Sequence, residues 1–165
     1  MANLFRDKVG VEVGVERGKY SRVIMEAGAS KLYAVDLWKN YDGYREHVDD
    51  GFYESIFMDA QENLKKFNVE FIRKESLAAA MDFEDESLDF LYLDSNHQFE
   101  FVLHDLFAWV PKIRKNGVVS GHDYKKTKDF GVIEALSKYQ EQTNAIDELV
   151  IYRGDKTPSW MFIKQ

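Results

Sequence analysis

The chain has no cysteine among its 165 residues, which excludes disulfides, thiolate metal centres and cysteine nucleophiles together. Proline is nearly as scarce, with two residues, and no Ser/Gly-rich stretch divides the chain. Without an obvious linker, residues 1–165 read as a single domain with one sizeable core. No run approaches the roughly 18 apolar residues that cross a bilayer. The opening Met1 to Lys8 carries no apolar core of signal-peptide length. A soluble, cytoplasmic protein with no membrane partner is the expectation. Positive charge is also in deficit, with 22 Lys and Arg against 29 Asp and Glu and a net charge of -7. Phosphate backbones are held by clustered Lys and Arg, so nucleic acid is not an expected partner.

What is present alternates. Short apolar runs are followed by longer amphipathic ones, the pattern of an α/β fold. Val9 to Val15 predicts a buried strand that enters a glycine turn, and Arg17 to Ala27 a helix closed by Gly28. Lys31 to Val35 predicts a second strand ending at Asp36. Phe57, Ala60, Leu64 and Phe67 share a helical face, while Tyr41 to Tyr44 read as loop. Val69 to Ile72 predicts a third strand, Ser76 to Met81 a short helix, and Leu88 to Leu93 a central strand covered on both faces. The next helix places Phe99, Val102, Leu103, Leu106, Phe107 and Val110 on one stripe. Pro111 would cost about 3 kcal/mol inside a helix, so the regular helix ends or kinks there. Gly117 to Ser120 predicts the fifth strand and Gly131 to Tyr139 the last helix. Leu149 to Tyr152 and Trp160 to Ile163 are too close in sequence for a parallel crossover and must pair antiparallel.

Glu12-Val13-Gly14-Val15-Glu16-Arg17-Gly18 sits where the first strand turns into a helix. Glycines let a backbone turn tightly and approach a ligand, and a helix start offers unpaired amide donors. The third glycine of the dinucleotide fingerprint is missing. Taken alone, two glycines also fit an ordinary strand–helix turn. About twenty residues on, Asp36 could accept both hydroxyls of a ribose, or simply be a solvated strand end.

Joined by segments further along the chain, these residues resemble the class I S-adenosylmethionine-dependent methyltransferases over nearly its whole length. Leu93-Asp94-Ser95-Asn96-His97-Gln98-Phe99-Glu100 resembles the I-D-x-x-H-x-Y-E segment of the macrocin-type small-molecule and sugar O-methyltransferases. Val110 to Ile113 and Asn116 to Tyr124 are similar to that branch's W-x-x-L-x-x-G-G-x-x-x-x-H-D-Y pattern, with Asn116 in place of a glycine. The resemblance implies a Rossmann-like doubly wound sheet, mostly parallel with an antiparallel C-terminal hairpin, in the order 3-2-1-4-5-7-6. It further implies S-adenosylmethionine as cofactor, with Gly14 and Gly18 flanking its methionine part and Asp36 at the ribose. Glu75 and Ser76 fall at the adenine and Asp94 beside the amino-acid end. Glu12, Glu16, Tyr20, Leu37 and His97 complete the implied pocket. Many relatives cover the substrate with an N-terminal segment, and little chain precedes the first strand here. A partner chain in a homo-oligomer is one expected source of that cover.

Asp94, His122 and Asp123 end neighbouring strands at the edge where open α/β sheets bind ligands. Two carboxylates about 5 Å apart repel by roughly 3 kcal/mol at an effective dielectric of 20. A shared divalent ion removes that repulsion, and oxygen ligands suit magnesium or manganese. The resemblance places a cation there in metal-dependent members. The alternative has His122 hydrogen-bonded to Asp123 or to the fourth-strand loop and shaping the site. His97 is a candidate general base, or a contact to substrate or adenine. His104, on the polar face of its helix, reads as solvated. His47 stands outside any cluster, and Tyr41, Tyr44, Phe52 and Tyr53 read as the lining of a substrate pocket, as a lid over it, or as packing of a helix on the sheet. A catalytic set of His97, Asp94 and Asp123 would serve a small-molecule hydroxyl acceptor. The competing functions are a nicotinamide-dependent oxidoreductase, a non-catalytic cofactor-binding module and a metal-using hydroxylase.

Overall fold

The computed structural model describes residues 4–40, 50–128, 130–154 and 156–165. Seven strands form one sheet in the order β3-β2-β1-β4-β5-β7-β6. The strands are β1 (Val9–Val13), β2 (Lys31–Asp36), β3 (Val69–Arg73), β4 (Leu88–Leu93), β5 (Ile113–Gly121), β6 (Val150–Tyr152) and β7 (Ser159–Ile163). The first five pair in parallel, and β7 lies antiparallel between β5 and β6. This is the expected Rossmann-like sheet, in the expected order.

Among the described residues, five helices cover both faces: α1 (Lys19–Glu26), α2 (Asp50–Leu64), α3 (Ser76–Ala80), α4 (Phe99–Trp109) and α5 (Val132–Thr143). Val11, Val13, Leu91, Leu93 and Val119 point to one face, where Leu106, Trp109, Ala135 and Leu136 pack on them. Leu32, Phe90, Tyr92 and Val118 point to the other face and meet Ile24 and Met25 of α1. Alternate strand residues are therefore buried against different helices, which is why these strands read as continuously apolar.

Two departures from the sequence expectation, in the buried stripe of α4 and the start of β5, have local causes. The buried stripe of α4 is Val102, Asp105, Leu106 and Trp109, while Phe107 is 39% exposed. A charged residue thus occupies a core position that the apolar pattern passes over. β5 starts at Ile113, and its register jumps from Leu88↔Ile113 to Phe90↔Val118, so Arg114 to Gly117 bulge out of the pairing. Asn116 sits in that bulge at φ 62°, the positive value a glycine would supply. After Trp109 the chain tightens into a 3-10 turn over Val110–Lys112, where Pro111 ends the regular helix.

Candidate functional site

The loops at the carboxyl ends of β1, β2, β3 and β4 enclose a cleft of about 780 Å³. Its floor is the turn after β1. Gly14 has φ +89°, and a Cβ there would lie 2.2 Å from the Asp94 carbonyl oxygen. The absence of a side chain lets the turn after β1 press against the loop after β4. Backbone bonds fix that approach: Gly14 N donates to Val35 O at 2.9 Å, and Asp94 N to Val13 O at 2.8 Å.

Asp36 organises the next part of the wall. Its Oδ2 accepts from the Val15 and Glu16 amides, and its Oδ1 from the Trp38 amide, each at 2.9 Å. A carboxylate offers about four lone-pair positions, and three are taken. Oδ1 retains room for one further donor. Trp38 completes the clamp: its indole donates to Glu16 O at 2.8 Å, and its ring is 4.7 Å from Phe57. α2 pins the turn from outside, with Asp59 paired to Arg17 and Asn63 donating to Arg17 O at 2.9 Å.

The cleft ends in a polar cluster. Asp94 directly follows β4, and His122 and Asp123 directly follow β5. Asp94, His97 and Asp123 each offer a ligand atom within 4.8 Å of the others, a spacing that one cation could bridge. His97 Nε2 lies 3.0 Å from Asp123 Oδ2, and its ring stacks on Phe130 at 4.9 Å. His122 Nδ1 is 3.8 Å from Asp94 and 3.7 Å from Asp123. Lys125 Nζ lies 3.2 Å from Asp123 Oδ1. Burial pushes the Asp94 carboxyl up to about 6, against the pull of His122 and aided by the charges of Asp123 and Glu16. Burial also raises Asp123, but His122, His97 and Lys125 outweigh it and hold that carboxyl below its ordinary value. Burial lowers His97, with Asp123 opposing, which favours the neutral imidazole.

The model of one family, described as a methyltransferase domain, matches residues 11–124, most of the chain. The chain belongs to this methyltransferase-domain family. The uncharacterised protein y4gI of Sinorhizobium fredii is 34% identical over 105 residues, which are 63% of this chain and 11% of that protein. This chain therefore spans only a small part of that curated relative. Among solved structures, a candidate methyltransferase from Streptococcus mutans, SMU.1697c in complex with SAH, superposes with a TM-score of 0.68 at 12% identity. The superposition covers 98% of this chain and 91% of that one. The tRNA (m1A58) methyltransferase TrmI of Aquifex aeolicus gives a TM-score of 0.70 at 16% identity over 99% of this chain and 65% of its own. Family and fold are those of S-adenosylmethionine-dependent methyltransferases, which sets the nicotinamide alternative aside.

In this chain the residues singled out by sequence converge. Glu12, Gly14, Glu16, Tyr20, Asp36, Leu37, Glu75, Ser76, Asp94 and His97 all line the one cleft. Gly18 stands behind it at φ +71°, at the start of α1. Tyr20 stacks on Tyr92, with ring centroids 4.0 Å apart. Tyr53 lines the cleft and packs with Val15 and Ile56. Phe52 is 39% exposed. Tyr41, Tyr44 and His47 lie outside the described residues. His104 is exposed, as expected, yet it also borders the cleft. Sequence reasoning missed Trp38 and Asp105. A tryptophan after a strand carries no pattern, and the positive φ of Trp38, 44°, has no sequence signal. Among the described residues, no helix is long and apolar enough to cross a membrane.

Glu12 is 1% exposed and accepts a hydrogen bond from the Ser21 hydroxyl. Burial pushes its carboxyl up to about 8, against the pull of Ser21 and aided by the charges of Asp94 and Asp36. The folded protein therefore holds this proton more tightly than the unfolded chain. The stability it contributes is whole below the ordinary glutamate value of 4.5 and is lost as pH rises through about 8. Glu12→Gln should gain stability over the parent between pH 5 and 9, by on the order of 1 kcal/mol or more. Denaturant midpoints at the two pH values test this. A gap that does not change with pH contradicts it.

Proposed function

We propose that this protein transfers the methyl group of S-adenosylmethionine to a hydroxyl oxygen of a small molecule or sugar, in the manner of the macrocin-type branch. The observation that carries this is the cluster of Asp94, His97, His122 and Asp123 at the end of the cleft that starts at Gly14. The sulfonium methyl is reactive by itself, so the protein must align it and remove the acceptor's proton. An amine needs less help once neutral, whereas a hydroxyl needs a base or a neighbouring cation.

The cleft has room for a nucleoside, with Glu75 and Ser76 at the base, Asp36 at one ribose hydroxyl and Asp94 near the amino-acid end. His97 can act as the base. With Nε2–H donating to Asp123, its Nδ1 keeps a lone pair, and burial favours the neutral ring. Asp123 then orients His97 as a positioning residue. A divalent cation fits the same group, with Asp94 and Asp123 as oxygen ligands and an imidazole, His122 or His97, as the nitrogen ligand. When bound, it would lower the pKa of an acceptor hydroxyl.

The acidic balance of the chain supports a small-molecule acceptor over nucleic acid. The test is a panel of hydroxyl, amine and nucleic-acid acceptors assayed with and without chelator. Chelator should abolish turnover on a hydroxyl acceptor, and added magnesium should restore it. Full turnover in chelator would remove the cation and leave His97 as the base. Cofactor binding with no turnover on any acceptor would favour a non-catalytic binding module.

A further inference from the structure

Beyond the Asp94 cluster, the loop after β5 carries positive charge that neither the fold nor the cofactor pocket uses. Residues 124–128 run Tyr-Lys-Lys-Thr-Lys, in a chain whose net charge is -7. Lys125 turns inward. Its Nζ lies 3.2 Å from Asp123 Oδ1 and 4.1 Å from the centre of the Phe130 ring, on which His97 also stacks. The side chain is still 33% exposed, so the ammonium keeps donors for a ligand. Thr127 pairs with Phe130 in an antiparallel bridge, which sets Lys128 in the turn between them. Lys126 and Lys128 are exposed. The turn between β6 and β7 lies alongside, because the Tyr124 amide donates to Pro158 O at 2.9 Å. It adds Arg153 and Lys156, both exposed, to the same carboxyl edge of the sheet.

Cations elsewhere on the surface are matched. Arg22 pairs with Glu26, Lys31 with Glu70, Lys65 with Glu62, Lys74 with Asp82 and Lys138 with Glu141. Lys126, Lys128, Arg153 and Lys156 form no ion pair with any described residue. The carboxylate beside them, Asp123, is 7% exposed and already faces His97, His122 and Lys125. The loop then runs into α5, where N-cap Gly131 has no side chain to satisfy the amides of the first turn. Glu134 is the acid in that turn. Ammoniums gathered without counter-charges draw in anions, and one multiply charged anion can be shared among several of them. A phosphate, with up to two charges and three terminal oxygens, fits that arrangement better than a carboxylate.

We propose that the acceptor hydroxyl belongs to a phosphorylated small molecule, a sugar phosphate or a sugar joined to a nucleotide through a diphosphate, whose phosphate sits on Lys125, Lys126 and Lys128. The inference rests on the methyl-transfer reading above and names its substrate class. Lys125 and His97 are held by the two oxygens of one carboxylate, so a phosphate on the first brings a hydroxyl of the same sugar to the second. The phosphate itself is unchanged. The S–CH3 bond breaks as the O–CH3 bond forms, the sulfur keeps the bonding pair, and the hydroxyl proton passes to the base.

The test is calorimetry on the full chain saturated with S-adenosylhomocysteine, in chelator, titrated with inorganic phosphate and with pyrophosphate. At least one should bind, and Lys126→Gln/Lys128→Gln should weaken it by about tenfold or more, the loss of a charge-assisted contact. Lys65→Gln/Lys66→Gln, which removes the same charge at the amino edge of the sheet, should leave it unchanged. Tighter pyrophosphate marks a diphosphate-linked sugar, and tighter phosphate a sugar monophosphate. Phosphorylated sugars should also be methylated faster than the bare sugars, with KM raised in the Lys126→Gln/Lys128→Gln variant. No binding of either anion, equal weakening in both double variants, or faster turnover of the bare sugar overturns the phosphate site and leaves methyl transfer to a hydroxyl standing. An RNA oligonucleotide that binds more tightly than either anion overturns it in favour of nucleic acid. Failure to bind S-adenosylhomocysteine, or turnover of amine acceptors alone, overturns the reading beneath it instead.

Discussion

Asp36→Ala is expected to weaken S-adenosylhomocysteine binding by at least a hundredfold, about 2.7 kcal/mol. From sequence alone, the loss expected at this position is a ribose contact. The structure enlarges it. The carboxylate accepts the amides of Val15 and Glu16 on one oxygen and that of Trp38 on the other. It is the pin that holds the turn after β1 against the end of β2. A hydrogen bond to a charged group contributes about 1.5–3 kcal/mol, and three backbone donors would lose their partner together. The turn would loosen where the cofactor lies, so the ligand would have to reorder it on binding. Asp36→Asn should fall between, because its NH2 opposes amides that need an acceptor. Calorimetric titration measures the loss. Affinity within threefold of the parent would separate Asp36 from the ligand.

Gly14→Ala should be worse, because it strikes the fold as well as the site. At φ +89° an L side chain is strained, and its Cβ would meet the Asp94 carbonyl oxygen at 2.2 Å, the Asp94 carbonyl carbon at 2.5 Å and the Ser95 nitrogen at 2.6 Å. All three are backbone atoms, so no side chain can rotate away. Strain of about 1–2 kcal/mol and overpacking of about 1–3 kcal/mol add to a loss of several kcal/mol. Domains of this size are stable by about 5–15 kcal/mol, so the variant should unfold at much lower denaturant or fail to accumulate. Any folded fraction would have the Asp94 loop displaced and should not bind the nucleoside measurably. Parent-like urea midpoint and affinity would show that the two loops do not depend on their close approach.

The elements that sequence predicts best are those whose physics is local. Leu88 to Leu93 is apolar enough to be buried on both faces, and it forms β4 at those bounds. The short spacing between the last two strands leaves antiparallel pairing as the only arrangement, and Pro111 marks the end of α4. The turn after β1 and Asp36 are legible because turn, spacing and strand end must agree. What escaped depends on distant partners. Asp105 looks like surface until Ser76 and Ser95, 29 and 10 residues away, supply its hydrogen bonds. His97 joins Asp123 because Phe130 stacks on its ring and its carbonyl accepts from the Gly131 amide, contacts that no local pattern encodes. The bulge at Asn116 depends on Lys164, whose carbonyl oxygen accepts from the Asn116 amide at 2.8 Å.

The most direct measurement is the crystal structure of this chain soaked with S-adenosylhomocysteine. The purine should lie against Glu75 and Ser76, a sugar hydroxyl on the open side of Asp36 and the sulfur facing Asp94. A nucleoside seated elsewhere, or a cleft closed by the protein's own residues at saturating ligand, would contradict it.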